Sequence, residues 1–169
     1  MMRIKTWFYN LHPYVLSSVA SLFTVAQIIL AFTVKTPGFE ELEAAGWICL
    51  WTAGIFGVLP IFTLRNKGGV PDGQSYIKTT ILVESGIYGI VRHPQNGTAW
   101  LLINLGLILI TRHWISLLLG SLSMLMVYAD TYKSDRYCME KFGKQYDSYM
   151  ERVPRVNFVL GIIRRVRNG

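Results

Sequence analysis

Two runs of 21 residues without a charged side chain, Tyr14 to Val34 and Ala44 to Leu64, restrict this chain more than any motif in it. A helix rises ~1.5 Å per residue, so about 20 apolar residues cross the ~30 Å hydrocarbon core of a bilayer. The first run is longer than the apolar core of a signal peptide and has no small-residue cleavage site behind it, so it is read as a retained transmembrane helix. The second is read the same way, with Ala53 and Gly57 as a possible close-packing face. Composition agrees: 51% hydrophobic residues and a mean hydropathy of +0.33 are too apolar for an ordinary soluble domain of 169 residues.

Two further apolar arms, Thr98 to Ile110 and Ile115 to Ala129, flank Thr111-Arg112-His113-Trp114. Each is short of a perpendicular span, so they are expected to form a helical hairpin whose arms both project beyond the inner membrane face. The upstream arm gains residues from Pro94, and the downstream arm continues from Asp130 to Phe142, where Gly143 stops it. Arg112 and His113 then reach the opposite surface. The expected fold class is all-α: an integral membrane helical bundle of about four transmembrane helices. One domain, 1–169, divides into two N-terminal spans (1–64), a polar loop (65–97), the hairpin with its extension (98–142) and an interfacial tail (143–169). Arg3, Lys5, the Trp7-Phe8-Tyr9 group and Pro13 resemble an interfacial anchor before the first span.

The formal charge of +7 could point to nucleic acid, but the basic residues fall between the apolar segments and after the last one. Of the 17 lysines and arginines, 15 lie in the N-terminus, the 65–97 loop and the C-terminal region, leaving Lys35 and Arg112 on the other side. Positive residues gather on the cytoplasmic face, so both termini and the long loop are expected there. The tail from Arg155 to Arg167 mixes four arginines with apolar residues, as suits a helix lying among headgroups. Cys49 and Cys138 sit in different environments and are not expected to pair, and His12, His93 and His113 lack metal-ligand spacing. No nucleotide-binding glycine motif or hydrolase motif occurs.

The 65–97 loop carries a turn signal, Pro71-Asp72-Gly73, and enough apolar residues to fold back onto the membrane face. Its end, Leu82 to Gly97, packs Tyr88, Arg92, His93 and Asn96 among glycines, and Pro94 biases His93 away from helical geometry, so the next helix should begin just after it. A second polar cluster runs from Ser134 to Tyr149 and ends in Val153-Pro154. One apolar hairpin separates the two, so they can meet on one membrane face. Tyr88, Arg92, His93, Asn96 and Asp135 then form a candidate site for a small zwitterion, with Arg92 facing a carboxylate and Asp135 an ammonium. The plainer alternative leaves Asp135 paired with Arg136 or Lys141 on a solvated helix, and Tyr88 as a belt aromatic.

Leu82-Val83-Glu84-Ser85-Gly86-Ile87-Tyr88, Arg92-His93-Pro94 and Phe142-Gly143-x-x-Tyr146-x-x-Tyr149-x-x-x-Val153-Pro154 together resemble the C-terminal core of the isoprenylcysteine carboxyl methyltransferase and phospholipid N-methyltransferase superfamily. The resemblance implies S-adenosylmethionine as methyl donor and a membrane lipid or lipid-like acceptor, such as a lipid amine or an isoprenylcysteine. It further implies a cytoplasmic donor site formed by a loop and a helix extension. By the same resemblance Leu82, Val83, Tyr88, His93, Pro94, Gln95, Asn96 and Asp135 bind the donor, and Arg92, His93 and Asp135 are the catalytic candidates. Asn96 stands where the family usually has Tyr, Gly97 comes one residue early, and Ser134 replaces the first of two glutamates. Asp130 stands where prenylcysteine enzymes tend to carry an arginine, which favours an amine, thiol or other acceptor over a carboxylate. Asp135-Arg136-Tyr137-Cys138 and Lys141-Phe142-Gly143 also resemble the C-terminal part of the sterol reductases, in which an Arg-His-Pro-Asn precedes such a segment, and that resemblance implies NADPH and a sterol as the alternative. A non-catalytic membrane scaffold is the third reading.

Overall fold

The structure, a computed structural model, describes residues 14–34 and 36–168. The anchor read at residues 1–13, with His12, and the placement of Lys35 lie outside the described residues. Those that are described form an all-helical bundle without strands. Its elements are α1 (Val15–Thr33), α2 (Glu40–Lys67), a 3₁₀ turn (Gly86–Gly89), a π turn (Pro94–Ala99), α3 (Trp100–Thr111), α4 (Trp114–Phe142), α5 (Lys144–Arg152) and α6 (Phe158–Asn168).

Three helices, α1, α2 and α4, are long and apolar enough to cross a membrane. Their outward faces leave Leu22, Phe32, Trp51, Phe62, Leu118 and Leu125 exposed, a continuous apolar surface that lipid would cover. The expected hairpin is built differently in its two arms. α4 has 29 residues, about 43 Å of helix, and so projects well beyond the hydrocarbon core. It ends at Phe142, where Gly143 takes φ +57°, the glycine-favoured conformation expected of a helix stop. The upstream arm does start at Pro94, but as a six-residue π turn that runs into the twelve residues of α3.

α3 packs between α2 and α4, and α1 lies along α4. Small residues set these approaches. A Cβ on Gly46 of α2 would lie 2.8 Å from the Gly106 carbonyl oxygen of α3, whereas a Cβ on Gly57 would meet open space. The Ala53 and Gly57 face is therefore only half right: Ala53 is buried, but the close crossing is made about two to three turns earlier. Polar side chains bond the helices where water is excluded. Thr24 Oγ1 donates to Asn104 Oδ1 at 3.1 Å and lies 3.2 Å from Ser123 Oγ, while Gln27 Nε2 donates to the Ser116 carbonyl at 2.9 Å.

The far end of the bundle is closed by Arg112, which has a left-handed φ of +50°. Its guanidinium donates to the backbone carbonyls of Thr36 at 2.6 Å and Phe39 at 2.9 Å. This clamps the α1–α2 loop over the α3–α4 corner instead of simply reaching outward. At the other end the long loop folds back as expected: Gln74 N–H donates to the Pro71 carbonyl at the turn, Thr80 N–H to Gly68, and Lys141 on α4 to Thr79.

Candidate active site

The buried face of α4 is a stripe of Ser116, Gly120, Ser123, Val127, Thr131 and Asp135, three or four residues apart. This spacing puts Asp135 on the core side of the helix extension, not among its solvated charges. Arg136 pairs instead with Glu140 at 3.0 Å, which removes the plainer reading of Asp135.

The loop brings its own polar groups to the same place through backbone pairing. Arg92 N–H donates to the Pro154 carbonyl at 3.0 Å and His93 N–H to the Arg155 carbonyl at 3.1 Å, so Pro154-Arg155 runs beside Arg92-His93 like a short rung of ladder. The π turn then starts at Pro94, with the N–H groups of Gly97 and Thr98 both returning to the His93 carbonyl. Thr98 Oγ1 donates to the Val156 carbonyl at 2.9 Å. A Cβ on Gly97 would stand 2.5 Å from Val156 Cγ1 and 3.1 Å from His93 Cβ, so only glycine permits this crossing.

Asp135 is the hub on which these segments meet. Its Oδ1 lies 2.7 Å from His93 Nε2 and accepts the Tyr146 hydroxyl at 2.7 Å. Its Oδ2 accepts Arg155 Nε at 2.8 Å and lies 3.3 Å from Arg92 Nη2. The Arg155 guanidinium also sits 3.6 Å over the Tyr132 ring. Burial pushes the Tyr146 phenol well above its usual range, and so does its bond to Asp135, which keeps it a neutral donor. Burial does the same for Tyr149, whose hydroxyl donates to the Tyr88 carbonyl at 2.7 Å, and for Tyr88 itself.

Arg92 is the group this network leaves unfinished. Its side chain is only 7% exposed, yet Nε and Nη1 are buried without a hydrogen-bond partner. Buried guanidinium donors left open cost stability, and an anionic ligand would complete them. Asp130 presents the complementary case, a buried Oδ1 with no donor.

The other expected site residues are placed around this hub unequally. Leu82 packs against the Tyr146, Tyr149 and Val153 cluster, Val83 is buried, and Tyr88 lies against Ile87 and Val91. Pro94 is fully buried. Gln95 turns to α2: its Nε2 donates to the Gly57 carbonyl at 2.9 Å and its Oε1 accepts the Tyr76 hydroxyl at 3.0 Å. Asn96 is exposed. Arg155 belongs by composition to a lipid-facing tail and Tyr146 carries no role in the sequence reading, yet both bond Asp135; the signals for them are the Pro-Arg step after Val153 and the three-residue tyrosine spacing on α5.

The tail helix α6 also does more than anchor. A Cβ on Gly161 would fall 1.9 Å from the Ile90 carbonyl oxygen, and Arg165 Nη1 donates to the Gly86 carbonyl at 3.0 Å. It is pressed onto the site loop, with Val159, Ile162, Ile163 and Val166 left facing outward. Among the described residues no group of three or more His, Cys, Asp or Glu side chains could hold a metal.

Three helices long and apolar enough to cross a membrane, with a buried cluster of arginine, histidine and carboxylate at one end of the bundle, define an integral membrane protein. The family model for phospholipid methyltransferases matches residues 42–145, more than half of the chain, which therefore belongs to the phospholipid methyltransferase family. No curated protein and no solved structure matches it. The match spans α2, the loop, α3 and α4, and so includes Arg92, His93 and Asp135.

Proposed function

We propose that this chain transfers the methyl group of S-adenosylmethionine to a membrane-embedded lipid or lipid-like acceptor. The observation that carries the reading is Arg92, a buried cation with two open donors beside a hub made by the loop and α4. The donor's carboxylate matches those open positions, and Leu82, Val83 and Tyr88 offer its uncharged parts an apolar flank. When bound, the donor supplies a methyl carbon already activated by its sulfonium. The protein's share is to hold the two reactants in line and to exclude water. Asp135 has all its oxygens occupied, so its part is to fix Arg92 and His93, leaving the ligand contacts to them.

The test is incubation of the purified protein with methyl-labelled S-adenosylmethionine and a total membrane-lipid extract. Label is expected in a lipid fraction. Absence of transfer to any lipid, prenylated thiol or small thiol, together with NADPH-dependent reduction of an isoprenoid, would replace this reading with a reductase.

We further propose that the π turn and α3 together make a fourth crossing, with both termini cytoplasmic. This is supported by α3 lying full length between α2 and α4 and by the excess of basic residues at the Asp135 end. Single cysteines placed in the 65–97 loop are expected to react with an impermeant thiol reagent only from the cytoplasmic side. Labelling from the outer side would overturn the orientation.

A further inference from the structure

We propose that α6 docks on an anionic phospholipid surface and that this docking holds the loop of the candidate site in its binding form, so that donor affinity follows the charge of the leaflet. The donor half of this rests on the methyl-transfer reading; the docking half does not.

The helix has two faces with different neighbours. Val159, Ile162, Ile163 and Val166 recur at helical spacing, which lines them up on one face, and all four are exposed. Gly161 and Arg165, four residues apart, lie on the adjoining face and meet the loop. The Ile90 carbonyl sits against Gly161 where no Cβ fits, and Arg165 Nη1 donates to the Gly86 carbonyl at 3.0 Å. Phe158 packs on Phe56 of the membrane-capable α2, with ring centroids 5.2 Å apart. The helix therefore begins against a span, and its apolar row is open to lipid.

Charge selects the kind of lipid. Arg164, Arg165 and Arg167 fall within about one turn of α6, and no Asp or Glu follows Glu151 in the sequence. Arg165 is turned to Gly86, whereas among the described residues no ion pair engages Arg164 or Arg167. An apolar face flanked by arginines suits the boundary between acyl chains and phosphates, where each basic residue adds attraction for anionic lipid. A neutral leaflet buries the same apolar row but gives the two guanidiniums no net counter-charge.

The link to the site follows from length. α6 has 11 residues, and isolated helices shorter than ~12–15 residues are marginal in water. It needs outside support, which the loop supplies on one face and the leaflet on the other. Both favour the same folded helix, so each strengthens the other, and by reciprocity a ligand that orders the loop tightens the docking. The supported segment, Gly86 to Ile90, leads directly to Arg92 and its open donors.

The experiment uses the full chain in nanodiscs of phosphatidylcholine, alone or mixed with phosphatidylglycerol. Wild type is compared with Arg164→Gln/Arg167→Gln and with the charge-keeping Arg164→Lys/Arg167→Lys. Amide exchange over 158–168 and 86–91 is read first, then S-adenosylhomocysteine affinity. In wild type, phosphatidylglycerol is expected to slow exchange in both segments about tenfold and to raise S-adenosylhomocysteine affinity about fivefold, the size of one to two basic residues near an anionic surface. High salt should remove most of the difference. The glutamine pair should lose the response while keeping wild-type behaviour in phosphatidylcholine, and the lysine pair should retain it. Exchange over 158–168 that is the same in both discs would overturn the docking; it is the result expected if a neutral leaflet or a second copy of the chain covers the apolar row. A glutamine pair that responds as wild type does would take the charge dependence away from α6 and overturn its role. Slowing over 158–168 without slowing over 86–91 would overturn the link to the site. Slowing in both segments, with S-adenosylhomocysteine bound in neither disc, would leave the docking standing and overturn the methyl-transfer reading.

Discussion

Asp135→Ala is expected to lower the stability of the folded protein by about 3–5 kcal/mol, because removing one member of a buried ionic cluster strands the others. Here the stranded groups are Arg92, Arg155 and the Tyr146 hydroxyl, and His93 loses its Nε2 partner. The backbone rung between Arg92-His93 and Pro154-Arg155 is next to fail, since Asp135 binds both ends of it. Tyr146→Phe removes one hydrogen bond and leaves the ion cluster intact, so it should cost only about 1 kcal/mol. Thermal unfolding in one detergent, compared across wild type, Tyr146→Phe and Asp135→Ala, checks the order. If Asp135→Ala melted with wild type, Asp135 would not be the hub that the distances describe.

That expectation differs from the one its sequence position invites. Read from the motif alone, Asp135 is a counter-charge to the donor's ammonium, worth ~1.5–3 kcal/mol and at least tenfold in donor affinity. Periodicity puts Asp135 on the core face, but it cannot say that the oxygens are already taken, because two of the four partners come from the far side of the Gly143 turn. Arg155 had the composition of a lipid-facing tail. Only the pairing of Pro154-Arg155 with Arg92-His93, a contact between segments about 60 residues apart, turns it inward.

Local signals otherwise carried far. The two uncharged runs became α1 and α2, Gly143 ended α4, and Pro94 opened the next helical segment, since length, a glycine's φ and a missing N–H act within a few residues. What stayed hidden was which glycine touches which helix. Gly57 has the right neighbours in sequence, but Gly46 is the one that meets Gly106, and that depends on the crossing point of two helices.

Arg92→Ala carries the largest expected functional effect. Arg92 Nε and Nη1 are the open donors of a guanidinium otherwise shut away from water, and Asp135 keeps the side chain in place through Nη2. If a ligand carboxylate accepts from both, each bond is charge-assisted and worth ~1.5–3 kcal/mol, so together they amount to a loss of about 10² to 10⁴ in donor affinity. S-adenosylhomocysteine titrated into the purified protein measures it without depending on turnover. Methylthioadenosine, which lacks the carboxylate, supplies the control, because its affinity should be the same in wild type and Arg92→Ala. Arg92→Lys keeps the charge and a bond to Asp135 but not the planar set of donors, so its S-adenosylhomocysteine affinity should lie between the two. A parallel fall in both ligands would mean that the substitution had only disordered the loop, and no fall in either would place the donor's carboxylate elsewhere. A selective fall for S-adenosylhomocysteine would assign that carboxylate to Arg92.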